Sequence, residues 1–189
     1  MSVITGLEKR RSRYLLNKEL PVAKEKVEEV IKRVTELVPD AFDMKSARVV
    51  AAFGEEHEAL WDEIERVFEG KVPHDKIQSF RNGAGTILYF YEEEVVDGLA
   101  AKFPTYAANF PVWANHANGM LQISIWTALA ELGIGASLQH YNPVIDDMVR
   151  ERYKLPKTYR LVAQMPFGGI EKEPEAKAKE KIEQRVQIV

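Results

Sequence analysis

A three-layer α/β or α+β arrangement, a small sheet covered by helices on both sides, is the fold class this sequence predicts. Strand-like and helix-like patterns alternate along the chain. The segment Thr86-Ile87-Leu88-Tyr89-Phe90-Tyr91 is apolar on both faces, as a central strand is. The chain has 189 residues, 46% of them apolar, which is enough for one core and leaves little room for two.

The elements follow in order. Pro21 suits the first turn of a helix whose inward face is Val27, Val30, Ile31, Val34, Leu37 and Val38, and Pro39 stops it. An irregular stretch through Ser46 leads to residues 48–53, whose β-branched centre predicts a short buried strand. Leu60, Trp61, Ile64, Val67 and Phe68 mark a second amphipathic helix, acidic on its other side and ended by Gly70. The turn Gly83-Ala84-Gly85 introduces the central strand. Residues 112–132 predict a long helix, apolar around most of its circumference, that serves a core or a dimer. After it come a short extended piece, a helix near residues 144–153, a strand over 159–165, a break at Gly168-Gly169 and a charged tail. The tail closes in Val186-Gln187-Ile188-Val189, a candidate edge strand.

Composition removes several function classes. A formal charge of −3 argues against a nucleic-acid partner while allowing a local cationic pocket. With Cys 0 there are no disulfides, thiolate nucleophiles or thiolate-held metals. The first seven residues are followed at once by Lys9, Arg10, Arg11 and Arg13, so they lack the apolar run of a secretory signal, and the cytoplasm is the expected compartment. The apolar region 120–138 is too interrupted by polar residues for a membrane span. Four scattered histidines show no metal-ligand spacing. Neither a dinucleotide fingerprint, a P-loop nor a nucleophile elbow occurs.

Two segments could carry chemistry. Arg10-Arg11-Ser12-Arg13 offers guanidinium forks and a hydroxyl that suit a single phosphate, although a basic run of this kind is as often simply solvated or paired with glutamates. Gly133-Ile134-Gly135 ends the long helix and allows close backbone approach to a ligand, and Leu138-Gln139-His140-Tyr141-Asn142-Pro143 follows. The plainer reading is a helix cap leading into a strand, with His140 structural.

Taken together, Arg10-Arg11-Ser12-Arg13, Pro39-Asp40-Ala41-Phe42-Asp43-Met44-Lys45-Ser46, the run from Ala128 to Pro143, Gln164-Met165-Pro166-Phe167-Gly168 and Arg185 resemble the FMN-dependent nitroreductase family over nearly the whole chain. The likeness is greatest to its short branch of nitroreductase-like and fatty-acid-repression proteins. The resemblance implies an obligate homodimer with a mixed, mainly antiparallel sheet, exchange of the C-terminal tail, and FMN in clefts at the subunit interface. It implies that Arg10, Arg11, Ser12 and Arg185 surround the FMN phosphate. Pro39, Asp40, Ala41, Asp43 and Lys45 would reach the ribityl chain and ring from the other subunit. Leu138, Gln139, His140 and Tyr141 would lie beside flavin N5 and O4, and Gln78 at the pyrimidine edge.

By the same resemblance the activity is ping-pong hydride transfer from NADH or NADPH through flavin N5 to a small-molecule acceptor, a nitroaromatic or a quinone. No side chain acts as nucleophile. Asp40, Asp43 and Lys45 depart from the family's usual loop, and an aspartate replacing its asparagine keeps an acceptor, loses a donor and calls for compensation by Lys45 or Arg13. Glu180 stands between Lys179 and Lys181 where a phosphate lysine is usual. These departures keep open an alternative, a non-catalytic flavin-binding or regulatory homodimer of the same fold.

Overall fold

The computed structural model describes residues 3–176, 178 and 181–189. In chain order the elements are α1 (Val3–Lys9), β1 (Leu16–Asn17), α2 (Lys24–Leu37), β2 (Ala47–Phe53), α3 (Glu55–Phe68), α4 (His74–Arg81), β3 (Gly85–Glu92), α5 (Glu93–Lys102), α6 (Phe110–Glu131), β4 (Gly135–Ala136), α7 (Asp146–Tyr153) and β5 (Tyr159–Ile170). Among the described residues no helix is long and apolar enough to cross a membrane.

The strands form one open antiparallel sheet in the order β1-β5-β3-β2, and β4 pairs with β5 beside that path. The predicted central strand is β3. Alternation along it divides the core: Ile87 and Tyr89 join α2 and α6 on one face, while Leu88 and Phe90 join α3, α4 and α7 on the other. On β5, Ala163 and Met165 belong to the first face but Leu161 to the second. A register irregularity explains the switch: Tyr89 opposes Ala163 and Phe90 opposes Leu161, so Val162 is passed over.

α6 lies along the first face and buries roughly half its circumference, with Ala117, Leu121, Ile125 and Leu129 in one row and Ala114, Asn118, Gln122 and Trp126 in the next. Val112 and Met120 remain exposed on its other side. α1 crosses α6 at Gly6, where a Cβ would stand 2.6 Å from Thr127 Cγ2. That close approach sets the start of the N-terminal segment.

Three sequence expectations need correction. Pro21 is not in the first turn of a helix; α2 begins at Lys24, and the chain before it bends so that Leu20 and Val22 pack onto the core. Gly168 and Gly169 do not break the strand, since β5 continues through them to Ile170. Their missing Cβ atoms make room for Asn17 of β1, whose carbonyl and side chain occupy that space. Residues 186–189 form no strand; they are exposed coil after the turn Ile182–Gln184 and pair with none of the described strands. The outer edge of β2 has no neighbour among the described strands.

Candidate functional site

Beyond α1 the chain runs extended and is held against β4. Ser12 bridges Ala136 in parallel fashion, and the Arg13 N–H donates to the Ala136 carbonyl at 2.9 Å. Gly135 permits this packing, because a Cβ there would meet Ile170 and Leu16 at 2.9 and 3.0 Å. Arg10 is thereby laid over the indole of Trp126, its guanidinium carbon 4.4 Å from the ring centroid. Its Nε is buried and has no hydrogen-bond partner. Burial first, then the charges of Arg11 and Arg13, lower its pKa, yet an arginine keeps its proton. Among the described residues, therefore, nothing satisfies the Nε of this partly buried cation.

The second segment starts where Gly133, at φ 78°, turns the chain out of α6. It then runs back along β5. Gln139 and Gln164 exchange backbone hydrogen bonds of 2.7 and 2.9 Å, and the Tyr141 N–H donates to the Gln164 side-chain oxygen at 2.7 Å. Gln139 Nε2 donates to the Ser137 hydroxyl at 3.0 Å. With Ser137, Gln139 and Tyr141 bonded toward β5, alternation turns the Leu138 and His140 amides to the other side. Tyr141 packs edge-on to Trp61 and Phe68, and its hydroxyl is buried without a partner, with burial raising its pKa.

Three contacts bring these parts together with α4. Lys76 lies 5.9 Å from the Tyr141 ring centroid, Tyr14 meets Phe80 at 6.4 Å, and Ser12 touches the strand that begins the 137–141 segment. Gln78, also on α4, donates to Asn82 Oδ1 at 2.9 Å.

The loop 39–45 is elsewhere. It lines a cavity of about 350 Å³ with Ala117 and Leu121 of α6. Ala117 and Trp126 are nine residues apart, about two and a half helical turns, so the loop and Arg10 flank opposite sides of α6. One copy of the chain does not bring them to a single ligand. Asp40 Oδ2 accepts from the Ser46 N–H at 3.0 Å and its hydroxyl at 2.7 Å, while Oδ1 is buried and unpartnered. Phe42, Asp43 and Lys45 all have φ between 51° and 57°, a left-handed cluster without glycine. Phe42 is held there by Phe103, Tyr106, Phe110 and Trp113 at ring distances of 5.1 to 6.0 Å.

Of the two cations expected to offset the aspartate that stands for asparagine, Lys45 does so and Arg13 does not. Lys45 pairs with Asp43 at 3.1 Å, and Arg13 pairs with Glu173 at 3.0 Å. Asp40 is stitched to Ser46 within the loop. Arg185 follows the turn Ile182–Gln184 on the exposed tail, its N–H bonded to the Ile182 carbonyl at 2.9 Å. Lys179 and Glu180 lie outside the described residues, and Lys181 is exposed.

Among the described residues, five buried side-chain atoms lack partners, and three of them belong to Arg10, Asp40 and Tyr141, all predicted site residues. Buried polar atoms are ordinarily satisfied, so each of these three atoms needs a reason outside the fold's own hydrogen bonds. Sequence reasoning missed two supports of the site. Trp126 reads as core from its helical spacing, and nothing local announces its cation. Gln164 carries a signal that was legible, a polar residue inside the apolar run 161–165.

The nitroreductase family model matches residues 7–169. The yeast protein HBN1 (Saccharomyces cerevisiae) is 35% identical over 165 residues, 86% of this chain and 84% of that protein. The nitroreductase CinD from Lactococcus lactis, solved in complex with chloramphenicol, shares 38% identity over the full length of both chains with a TM-score of 0.95; the same protein has been solved with 4-nitrophenol. A more distant neighbour from Exiguobacterium sibiricum, solved in complex with FMN, is 14% identical over 100% of this chain and 98% of its own, with a TM-score of 0.76, and shares the fold.

Proposed function

The chain belongs to the nitroreductase family, and from that membership we propose that it is a cytoplasmic, homodimeric, FMN-dependent NAD(P)H oxidoreductase acting on nitroaromatic or quinone-type acceptors. One observation carries the reading: a partly buried Arg10, spread on Trp126, with a donor that nothing in the fold uses. A phosphate monoester supplies the missing acceptor and the missing negative charge. The residues fit the cofactor in two further respects. Ser12 sits two positions from Arg10 on the same extended segment, and the Leu138 and His140 amides face away from β5 as free-standing donors would.

FMN, when bound, supplies two-electron chemistry between NADH or NADPH and an oxidised acceptor. The chain's part is to hold and orient. Arg10 and Ser12, joined by Arg185 from the tail, bind the phosphate, and Arg11 occupies the position between them. The amides of residues 138 and 140 donate to the edge of the ring that gains electron density, a preorganised arrangement because Gln164 fixes the segment from behind. Gln78 addresses the pyrimidine edge after turning from Asn82. Loop 39–45 closes the site from a second copy, since its own copy places it across α6 from Arg10. A complex of a 38%-identical relative with 4-nitrophenol supports the nitroaromatic class.

The loop departures give little support to a non-catalytic flavin binder: Asp43 is met by Lys45, and Asp40 by Ser46. The test is an absorption spectrum. Purified protein is expected to be yellow and to bleach anaerobically with NADH or NADPH, with colour returning on addition of 4-nitrophenol or a quinone. Colourless protein that ignores added FMN overturns the proposal.

A further inference from the structure

The segment leaving β5 is exposed, yet it stays tied to the arginine cluster and continues antiparallel to it. Asn17 Nδ2 donates to Glu171 Oε2 at 2.9 Å, Arg13 donates through Nε and Nη2 to the Glu173 carboxylate at 3.1 and 3.2 Å, and Arg11 Nη2 donates to the Glu175 carbonyl at 2.6 Å. The Glu171 N–H adds a bond to the Leu15 carbonyl at 3.1 Å. Positions 17, 13 and 11 are thus laced to 171, 173 and 175, a continuation of the β1–β5 pairing carried by side chains.

Arg13 is the centre of this lacing. Its third donor, Nη1, reaches the Lys9 carbonyl at the end of α1 at 3.1 Å, and its side chain is only 11% exposed although Glu173 is 63% exposed. Bidentate pairing with a carboxylate consumes the fork that would otherwise clamp a phosphate. Of the arginines at 10, 11 and 13, two are committed to the fold and one is held over Trp126 with an unused Nε.

We infer that residues 171–175 form an acidic latch that commits Arg11 and Arg13 to structure, leaves Arg10 as the phosphate ligand of the cluster, and makes Arg13 and Glu173 positioning residues for it. The inference rests on the proposed FMN site and names residues that do not touch the cofactor. The latch also fixes where the chain sets out toward Arg185, ten residues beyond Glu175. Simple electrostatics makes the opposite prediction for Glu173: removing a carboxylate near an anion site strengthens anion binding. The two accounts are therefore separable.

The experiment titrates the flavin-stripped protein with FMN and with riboflavin, which lacks the phosphate, and follows flavin fluorescence. In Glu173→Gln, FMN affinity is expected to fall by about tenfold, as for a weakened charge-assisted pair, with riboflavin affinity unchanged. Amide exchange of the stripped protein, read without any flavin, is expected to rise at Arg13, whose N–H binds Ala136. FMN binding that is unchanged or tighter overturns the latch, as does an equal loss for both flavins or exchange that does not move. Glu173→Asp, which keeps the charge, is expected to recover part of the loss; no recovery also counts against the latch. A wild-type protein that binds FMN no better than riboflavin defeats the phosphate site itself, and the exchange measurement then still decides the latch.

Discussion

The guanidinium of Arg10 lies 4.4 Å from the ring centroid of Trp126, and its Nε is buried without a partner. The indole face stabilises the cation without neutralising it, which leaves the donors available to an anion. Arg10→Ala removes both charge and fork. A charged hydrogen bond contributes about 1.5–3 kcal/mol, so FMN affinity is expected to fall by at least tenfold, with riboflavin affinity little changed. Trp126→Leu keeps the charge and loses the platform, about 1 kcal/mol, and is expected to weaken FMN by several-fold. Fluorescence titration measures both, and equal effects on the two flavins would contradict the phosphate role.

Gln164 is fully buried in β5 and satisfies the 139–141 segment twice, through its backbone to Gln139 and its side-chain oxygen to the Tyr141 N–H. Gln164→Leu fits the volume and strands that N–H. The expected cost is about 1–3 kcal/mol of stability, the penalty for an unsatisfied buried donor. The flavin ring should also lose definition, seen as a weakened circular-dichroism signal of the bound chromophore. A variant as stable as the parent, with the parent's flavin spectrum, would show that the side chain does not hold this turn.

His57 is a second buried polar centre, and its network shares Trp61 with the packing around Tyr141. Its Nε2–H points to the Arg81 carbonyl at 3.2 Å, so Nδ1 accepts from Thr86 Oγ at 2.8 Å, and Thr86 in turn accepts from Trp61 Nε1 at 2.8 Å. With the imidazole neutral, both ring nitrogens and the indole N–H are satisfied. Burial is the main reason that its pKa falls from 6.5 to about 4. The unfolded chain then binds a proton that the folded chain refuses, so this group's contribution is complete above pH 6.5 and lost as pH falls toward 4. The loss is roughly 3 kcal/mol. Urea midpoints measured from pH 7 to pH 4 should fall steeply in the wild type and less in His57→Gln; parallel slopes would remove His57 as the cause.

How much of this was legible in the chain depends on the range of the interaction. β3 showed itself through five consecutive apolar residues, Ile87 to Tyr91, and α3 through one stripe, because burial on one or two faces is written locally. Gly168-Gly169 was misread as a break because the reason for glycine there is Asn17, about 150 residues earlier, a packing fact with no local trace. Arg10 was found from its neighbours in sequence, but Trp126 beneath it and Glu173 across from Arg13 come from remote segments. The loop at residues 39–45 was read as site, while its left-handed backbone, held by aromatic partners from residues 103–113, has no sequence signature without glycine or asparagine.

Arg10 and loop 39–45 flank opposite sides of α6, so the proposed FMN site takes parts from two copies of the chain, and the exposed side of α6 is the surface expected to meet the second copy. Val112, His116 and Met120 are spaced four residues apart on that side, and Val112 and Met120 are 49% and 43% exposed. Such a stripe, continued by exposed Leu7, Ile4 and Val3 on α1, is costly to leave in water. Sedimentation is expected to give twice the 21.5 kDa chain mass. Val112→Lys combined with Met120→Lys places two charges in the contact while leaving the core of each copy untouched. The pair is expected to sediment as a monomer with an unchanged far-ultraviolet spectrum and to lose retained flavin, because Arg10 then lacks the loop that covers the ring. A wild-type monomer that keeps its flavin would sink the shared-site reading, since one copy would then be holding the cofactor with parts that lie across a helix from each other.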